Sequence, residues 1–417
     1  MNSAGMSDAT RPPLGTGYWR LWAASALSNL ADGILKVALP LVAIRFTRSP
    51  TLIAGVTFAL TLPWLIFALQ AGVLADRLDR RRAMLASNAV RAALLAGLAL
   101  VVIFDTGSIL ALYVIALSIG VAETIYDTSA QSILPQVVPR NQLSRANGRL
   151  YAAELTANQF VGPPLGGFLV AVGAAIAFAT TAVLWATAVV ALLLVRGPFR
   201  IPRDQRTTMR ADIVEGLRFL WRHRLLRTLA LMVGVSNFAS NAVLSVLVLY
   251  AVGPRSAMGM TEPAYGVLLT TIAVGSLVGS LVADRVERWL GRARSLTLTI
   301  LGSTLLVGTP AVTAQPLLIG AAFLVGGITI VIWNVITVSL RQRITPDRLL
   351  GRVNSGYRLV AWGTMPLGAA AGGVLAQLFG LRAVFGAMAV VALGMLAGMT
   401  VVTDEAMEAA EAGGSGP

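Results

Sequence analysis

The chain has 417 residues, 56% of them hydrophobic and only 12% charged, with a mean hydropathy of +0.75 and a formal net charge of +14. A soluble domain carries about 25% charged residues, so this composition belongs in a bilayer and argues against a soluble enzyme. Cysteine is absent and His223 is the single histidine, which excludes disulfides and a His-rich metal centre.

Residues 1–17 are polar and rich in Gly and Pro, and read as a disordered cytoplasmic tail. They do not read as a signal peptide, because the apolar run that follows is long enough to span. Segments of the ~20 apolar residues a membrane helix needs can be drawn from about Trp19 to Ile44, Leu52 to Ala75, Ala83 to Phe104 and Ile109 to Ser129. Two more, Gly148 to Val172 and Ala174 to Val195, complete a first bundle over residues 18–196. After a linker at 197–227, a second bundle over 228–403 holds Thr228 to Val252, Ala264 to Ala283 and Leu296 to Val312. Leu317 to Leu340, Val353 to Leu378 and Ala383 to Val402 follow, before an acidic cytoplasmic tail at 404–417 that reads as solvated. The expectation is an all-α membrane protein of twelve transmembrane helices in two six-helix bundles.

The basic residues orient these spans. Of 33, the termini and alternate loops on their side hold 26, the opposite loops hold Arg45, Arg48, Arg255 and Arg382, and Lys36, Arg91 and Arg358 lie within spans. Positive loops mark the cytoplasmic face, so both termini are expected there. The net charge is then a topology signal and not a nucleic-acid footprint. The loop from Arg196 to Arg227 carries nine arginines, and Ile213, Leu217, Leu220 and Trp221 recur in it at helical spacing with basic residues opposite, the pattern of an amphipathic helix at the membrane surface.

Ionisable residues inside spans are costly, ~2.5–3.5 kcal/mol each on insertion scales, and usually face protein or a wet cavity. The first span holds Asn29, Asp32 and Lys36, the last two on one helix face at i,i+4. They read either as a mutually neutralising pair or as a protonation and substrate site lining a cavity. The fourth span repeats the spacing with Glu123 and Asp127, and the fifth holds Glu154. Arg91, about 12 Å above its cytoplasmic end at ~1.5 Å per residue, is placed to pair with Glu123 or Glu154. Asp127 could instead pair with Arg149, and Arg91 and Arg358 could snorkel toward headgroups. The second half has Ser240, Leu244, Ile330, Asn334 and Ala361 at the corresponding positions, so the ionisable chemistry is expected in the first half.

Two halves on one plan are also written in the motifs. Gly72-Val73-Leu74-Ala75-Asp76-Arg77-Leu78-Asp79-Arg80-Arg81-Arg82 is echoed by Gly279-Ser280-Leu281-Val282-Ala283-Asp284-Arg285, with the Asp-Arg pairs 208 positions apart. Ser28-Asn29 recurs as Ser236-Asn237 at the same offset, and Pro139, Leu143, Arg145 and Asn147 recur as Pro346, Leu350, Arg352 and Asn354 at 207. Such spacing is the mark of a tandem repeat.

Twelve spans in parallel repeats with a G-x-L-A-D-R-x-x-R-R-R loop resemble the major facilitator superfamily over about residues 18–403. Within it, Leu143 to Asn147, Gly162-Pro163-Pro164-Leu165-Gly166-Gly167 and the linker run Glu215 to Trp221 are similar to the enterobactin-exporter and macrolide-efflux branch. The usual loop motif has Gly where Asp79 stands, Asn158 replaces a glycine of the wider fifth-span motif, and the span-four arginine of many drug/proton antiporters is replaced by acids.

The resemblance implies halves that rock about a central site. Gly72, Asp76, Arg77, Arg80 and Arg81, with Asp284 and Arg285, would form a cytoplasmic gate. Gly162, Pro163, Gly166 and Gly167 would form an antiporter-type packing face that seals against proton leak. Asp32, Lys36, Glu123, Asp127, Glu154, Arg91, Asn29 and Asn237 are the candidates for proton coupling and the substrate cavity. No phosphate-binding G-x-x-x-x-G-K-[ST] loop occurs, which favours a proton gradient over ATP. The reading is a monomeric, cofactor-free exporter of a small amphipathic molecule in the inner membrane, with protons and the lipid bilayer as its other partners. A lipid flippase or solute importer of the same fold, and a membrane-embedded enzyme or sensor, are the alternatives.

Overall fold

The structure, a computed structural model, describes residues 14–414 apart from 78, 198 and 200–208, with the backbone alone at 68–77, 140, 209–213, 347–348, 351 and 413–414. Its first half is built from α1 (Gly15–Phe46), α2 (Pro50–Arg77), α3 (Arg80–Ile103), α4 (Ile109–Ile133), α5 (Leu143–Glu154), α6 (Gly162–Val172) and α7 (Ala174–Leu193). Helix α8 (Met209–Arg222) lies in the linker. The second half holds α9 (Arg224–Ala251), α10 (Glu262–Leu290), α11 (Arg292–Val312), α12 (Pro316–Ile344), α13 (Asp347–Phe379), α14 (Leu381–Gly394) and α15 (Asp404–Gly414). Among the described residues eleven helical segments are long and apolar enough to cross a membrane.

The span expected from Gly148 to Val172 is the discontinuous one. It is assembled from α5, a π-helical stretch at Leu155–Val161, and α6. Pro163 and Pro164 lack the N–H groups that would bond the carbonyls of Gln159 and Phe160 in an α-helix, and the chain widens in the turn before them. π-turns of this kind are frequent at functional sites.

Short polar residues cap the starts of α3, α4 and α10, and glycines end α6, α10 and α13. Asp79 accepts from Arg82 N at 3.0 Å, Ser108 from Ala111 N at 3.2 Å and Thr261 from Ala264 N at 3.4 Å. Asp79 has φ −63°, so the first loop needs no glycine there and gains an N-cap instead. The second copy differs: Asp284 and Arg285 lie inside α10, and the chain turns only at Gly291, where φ is +77°.

Both described termini lie at one end of the bundle. There Tyr18 Oη donates to the Ala146 carbonyl, and Arg20 to that of Leu194. The tail expected to be solvated is, over Asp404–Gly414, a docked helix. Asp404 takes Ala293 N at the start of α11 at 3.0 Å, Glu411 pairs with Arg292 at 2.8 Å and Arg343 at 3.3 Å, and Met407 is buried. Two of the tail's acids, Asp404 and Glu411, thus meet the basic end of the bundle, and a carboxylate at a helix N-terminus is favoured.

Candidate functional site

The two halves enclose a central cavity of two adjoining lobes. The first, about 450 Å³, is walled by Asp32, Lys36, Glu123, Asn158 and Trp64 among others. The second, about 590 Å³, lies against the second half and includes Asn237, Asn334, Trp333, Arg341, Tyr357 and Arg358. Gln159, Asn241, Leu244 and Met365 line both, so the π-stretch of the fifth span stands where the lobes meet.

Close backbone approach brings the first lobe together. A Cβ on Gly162 would lie 2.6 Å from Gly33 Cα, and one on Gly33 would lie 2.5 Å from the Asn158 carbonyl oxygen. With no side chain at either position, the fifth span seats directly on α1 beside Asp32 and Lys36.

Asp32 is 8% exposed and its Oδ1 accepts from Arg91 Nη1 at 2.9 Å. Arg91 is fully buried. Its Nη2 donates to Asn88 Oδ1 at 2.6 Å and to Ser28 Oγ at 3.4 Å, and its guanidinium lies over the rings of Tyr126 at 4.7 Å and Trp185 at 4.9 Å. Arg91 therefore does not snorkel, and its carboxylate is Asp32, not Glu123 or Glu154. Lys36 does not neutralise Asp32 either: its Nζ donates to Asn158 Oδ1 at 2.9 Å. Asn158 Nδ2 in turn donates to Asn29 Oδ1 at 3.4 Å, while Asn29 donates to the Ser25 carbonyl.

Glu123 lines the first lobe; Asp127, one turn along α4, and Glu154, the last residue of α5, line neither. None of these three acids has an ion-pair partner within 4.0 Å among the described residues. Arg149 stacks over Trp19 at 5.3 Å instead of meeting Asp127. Asn237 lines the second lobe and donates to the Ala361 carbonyl at 2.7 Å.

The candidate gate is placed only in part. The side chains of Gly72, Asp76 and Arg77 lie outside the described residues. Arg81 donates from Nε to the Leu192 carbonyl at 2.9 Å and from Nη2 to that of Leu193 at 2.8 Å. A cation on the last carbonyls of α7 is favoured by the helix dipole; it joins two helices of the same half. Arg80 is buried, with its backbone N–H donating to the Phe199 carbonyl at 3.3 Å. Asp284 and Arg285 are exposed, and Arg285 donates to Leu281 of its own helix.

The end away from the termini is sealed. A Cβ on Gly167 would lie 2.3 Å from the Glu262 carbonyl oxygen, and one on Gly266 would lie 2.3 Å from that of Pro163, so α6 and α10 meet backbone to backbone. Pro163 thus lies in the helix contact, while Gly166 packs on Ile34 of α1. Arg45 approaches Glu262 at 3.8 Å, Ser49 Oγ donates to Gln377 Oε1 at 3.0 Å, and Thr51 Oγ1 to the Gly373 carbonyl at 3.2 Å. Deeper in the cavity wall, Trp64 and Trp362 meet edge to face at 4.6 Å.

Residues 9–415 match the family described as transmembrane secretion effector. The chain belongs to the major facilitator superfamily. It is 30% identical over 376 residues to the multidrug efflux pump Tap of Mycolicibacterium fortuitum, covering 87% of this chain and 90% of that protein. It is 27% identical over 331 residues to the enterobactin exporter EntS of Shigella boydii serotype 4 (strain Sb227), covering 79% and 77%. The fold matches the crystal structure of the nucleoside transporter NupG with a TM-score of 0.73 at 14% identity, over 92% of this chain and 99% of that one. This major facilitator protein is thus a multi-pass membrane transporter of small molecules.

Arg341 and Gln159 were not among the residues singled out from sequence. The apolar window of the tenth span ends at Leu340, which assigned Arg341 to a loop, whereas α12 runs to Ile344 and carries it into the cavity wall. The signal was present as Trp333, Thr337 and Arg341 at i, i+4 and i+8, a polar and aromatic stripe on one helix face.

Proposed function

We propose that this protein is a secondary active transporter of the inner membrane that exports a small amphipathic molecule, drug-, macrolide- or siderophore-like, in exchange for protons. Both termini are then cytoplasmic, and the sealed end faces outward. The observation that carries the reading is Asp32, set in the wall of a cavity that both halves line and paired with the buried Arg91 behind it. Relatives named for multidrug efflux and enterobactin export support the direction.

The chemistry follows from the geometry. Ionised Asp32 is held by Arg91; a proton taken from the outer side neutralises it and weakens its hold on α3. Glu123 shares the same lobe, has no ion-pair partner among the described residues, and offers a second protonation site. Release of the proton inward restores the pair and readies the site for the next substrate. Each half-cycle changes the charge of the first lobe, which biases the two-state equilibrium of the halves.

The test uses inverted vesicles with an imposed proton gradient, scanned with candidate compounds for substrate-triggered proton movement. Asp32→Asn or Glu123→Gln is expected to abolish that movement. Full gradient-driven transport in both variants would refute proton antiport through these acids. Accumulation indifferent to the gradient would move facilitated or lipid transport forward.

A further inference from the structure

The second lobe gathers buried donors that the structure leaves unbonded. Arg341 is nine-tenths buried, and among the described residues its Nε and Nη1 have no hydrogen-bond partner within ordinary geometry. Trp333 Nε1, two turns back on the same face of α12, is buried and unpartnered as well. Arg358 adds a second guanidinium to the lining, and among the described residues no carboxylate lines this lobe. Of the amides there, Asn237 donates to the Ala361 carbonyl and Asn241 to that of Asn237, while Gln159 and Asn334 also line the lobe.

A buried charge and buried N–H groups left without acceptors are costly, so the lobe is built for something that supplies them. The Arg341 guanidinium stacks on Tyr357 at 3.9 Å from its ring centroid, which fixes the planar fork in orientation. Trp333 offers an aromatic ring beside it, and Trp362, which meets Trp64 edge to face and carries the Arg358 guanidinium at 5.1 Å, adds a second. Fork, indole N–H and ring faces together match one ligand chemistry.

We infer that the second lobe seats an oxyanion carried on an aromatic ring, a carboxylate or a group of the same shape, which Arg341 and Trp333 bind while Trp362 covers the ring. This assignment rests on reading the cavity as the substrate's path, and on nothing about direction or energy source. It splits the substrate between lobes: the acids of the first handle protons or a cationic group, and the arginines of the second hold the anionic aromatic end.

The experiment is equilibrium dialysis of the purified full chain in detergent with three matched probes, 1-naphthoate, 1-naphthylmethanol and 1-naphthylmethylammonium. Naphthoate is expected to bind about 10-fold or more tighter than the alcohol, and the ammonium weakest, as for a charge-assisted hydrogen bond. Arg341→Gln should abolish the preference and Arg341→Lys retain part of it, while Arg218→Gln, which removes an exposed arginine of α8, leaves it unchanged. Equal binding of the three probes by the unaltered protein overturns the assignment and requires no variant to fold. So does a naphthoate preference that survives Arg341→Gln, which would place the anion elsewhere on a basic protein. If proton movement fails in vesicles but naphthoate binding follows Arg341, proton antiport falls and this assignment stands; the reverse pattern removes the assignment alone.

Discussion

Asp32 is the carboxylate that neutralises a fully buried arginine, and that sets what its removal does. Breaking a buried pair by deleting one partner costs ~3–5 kcal/mol, because the surviving charge is left uncompensated. Asp32→Ala should therefore lower the apparent melting temperature in detergent well beyond Glu123→Ala, whose acid has no ion pair to lose. The double variant Asp32→Ala/Arg91→Leu should recover much of the loss, since it removes both charges. If the two single losses simply add in the double variant, the pair is not energetically coupled and its place as the structural keystone is lost. The i,i+4 spacing of Asp32 and Lys36 was visible in the sequence, but the contest between partners was not. The helix that carries Arg91 lies 59 residues further on, and only packing decides that it, and not the neighbour one turn away, supplies the charge.

At the scale of elements, the spans were legible because hydropathy over ~20 residues is a strong signal, and the repeat because its motifs recur at one offset. Legibility failed where an element departs from an uninterrupted apolar helix. The fifth span breaks into three pieces at Pro163, and the linear pattern gave its length but not the π-turn that brings Asn158 and Gln159 to the cavity. Glu411 of α15 looked solvated because its arginine partners lie on α11 and α12. Helix α9 has its own exception. Its N-cap is His223, whose Nδ1 accepts from Leu226 N at 3.4 Å, a role only the neutral imidazole can fill. Burial holds the His223 pKa below its ordinary 6.5. The unfolded chain thus binds the proton more readily than the native one, and the stabilisation is complete above pH 6.5 and lost as pH falls through the lowered value. Thermal scans from about pH 7.5 to about pH 5 should show this loss in the unaltered protein. His223→Asn caps without titrating and should show a shallower decline. Parallel pH profiles for the two would remove His223 from the account.

For the whole molecule, the sealed end is strong in fit and weak in energy. Arg45 and Glu262 are part exposed at 3.8 Å, and such pairs contribute ~0.2–1 kcal/mol. The Ser49–Gln377 and Thr51–Gly373 hydrogen bonds add roughly 0.5–1.5 kcal/mol each. These polar contacts sum to no more than a few kcal/mol, the range within which two conformations remain in exchange. The backbone contacts of Gly167 and Gly266 define the closed geometry without adding a charge that would lock it. The seal should accordingly open in every transport cycle. Because the chain has no cysteine, Ser49→Cys with Gln377→Cys makes the only thiols in the protein, at positions whose side chains now lie 3.0 Å apart. A short reducible thiol crosslinker should join them, stop transport in vesicles, and release it again on reduction, while either single variant transports throughout. Transport that continues after complete crosslinking would mean that this end never parts, and that the substrate leaves by a route other than the one the two halves enclose.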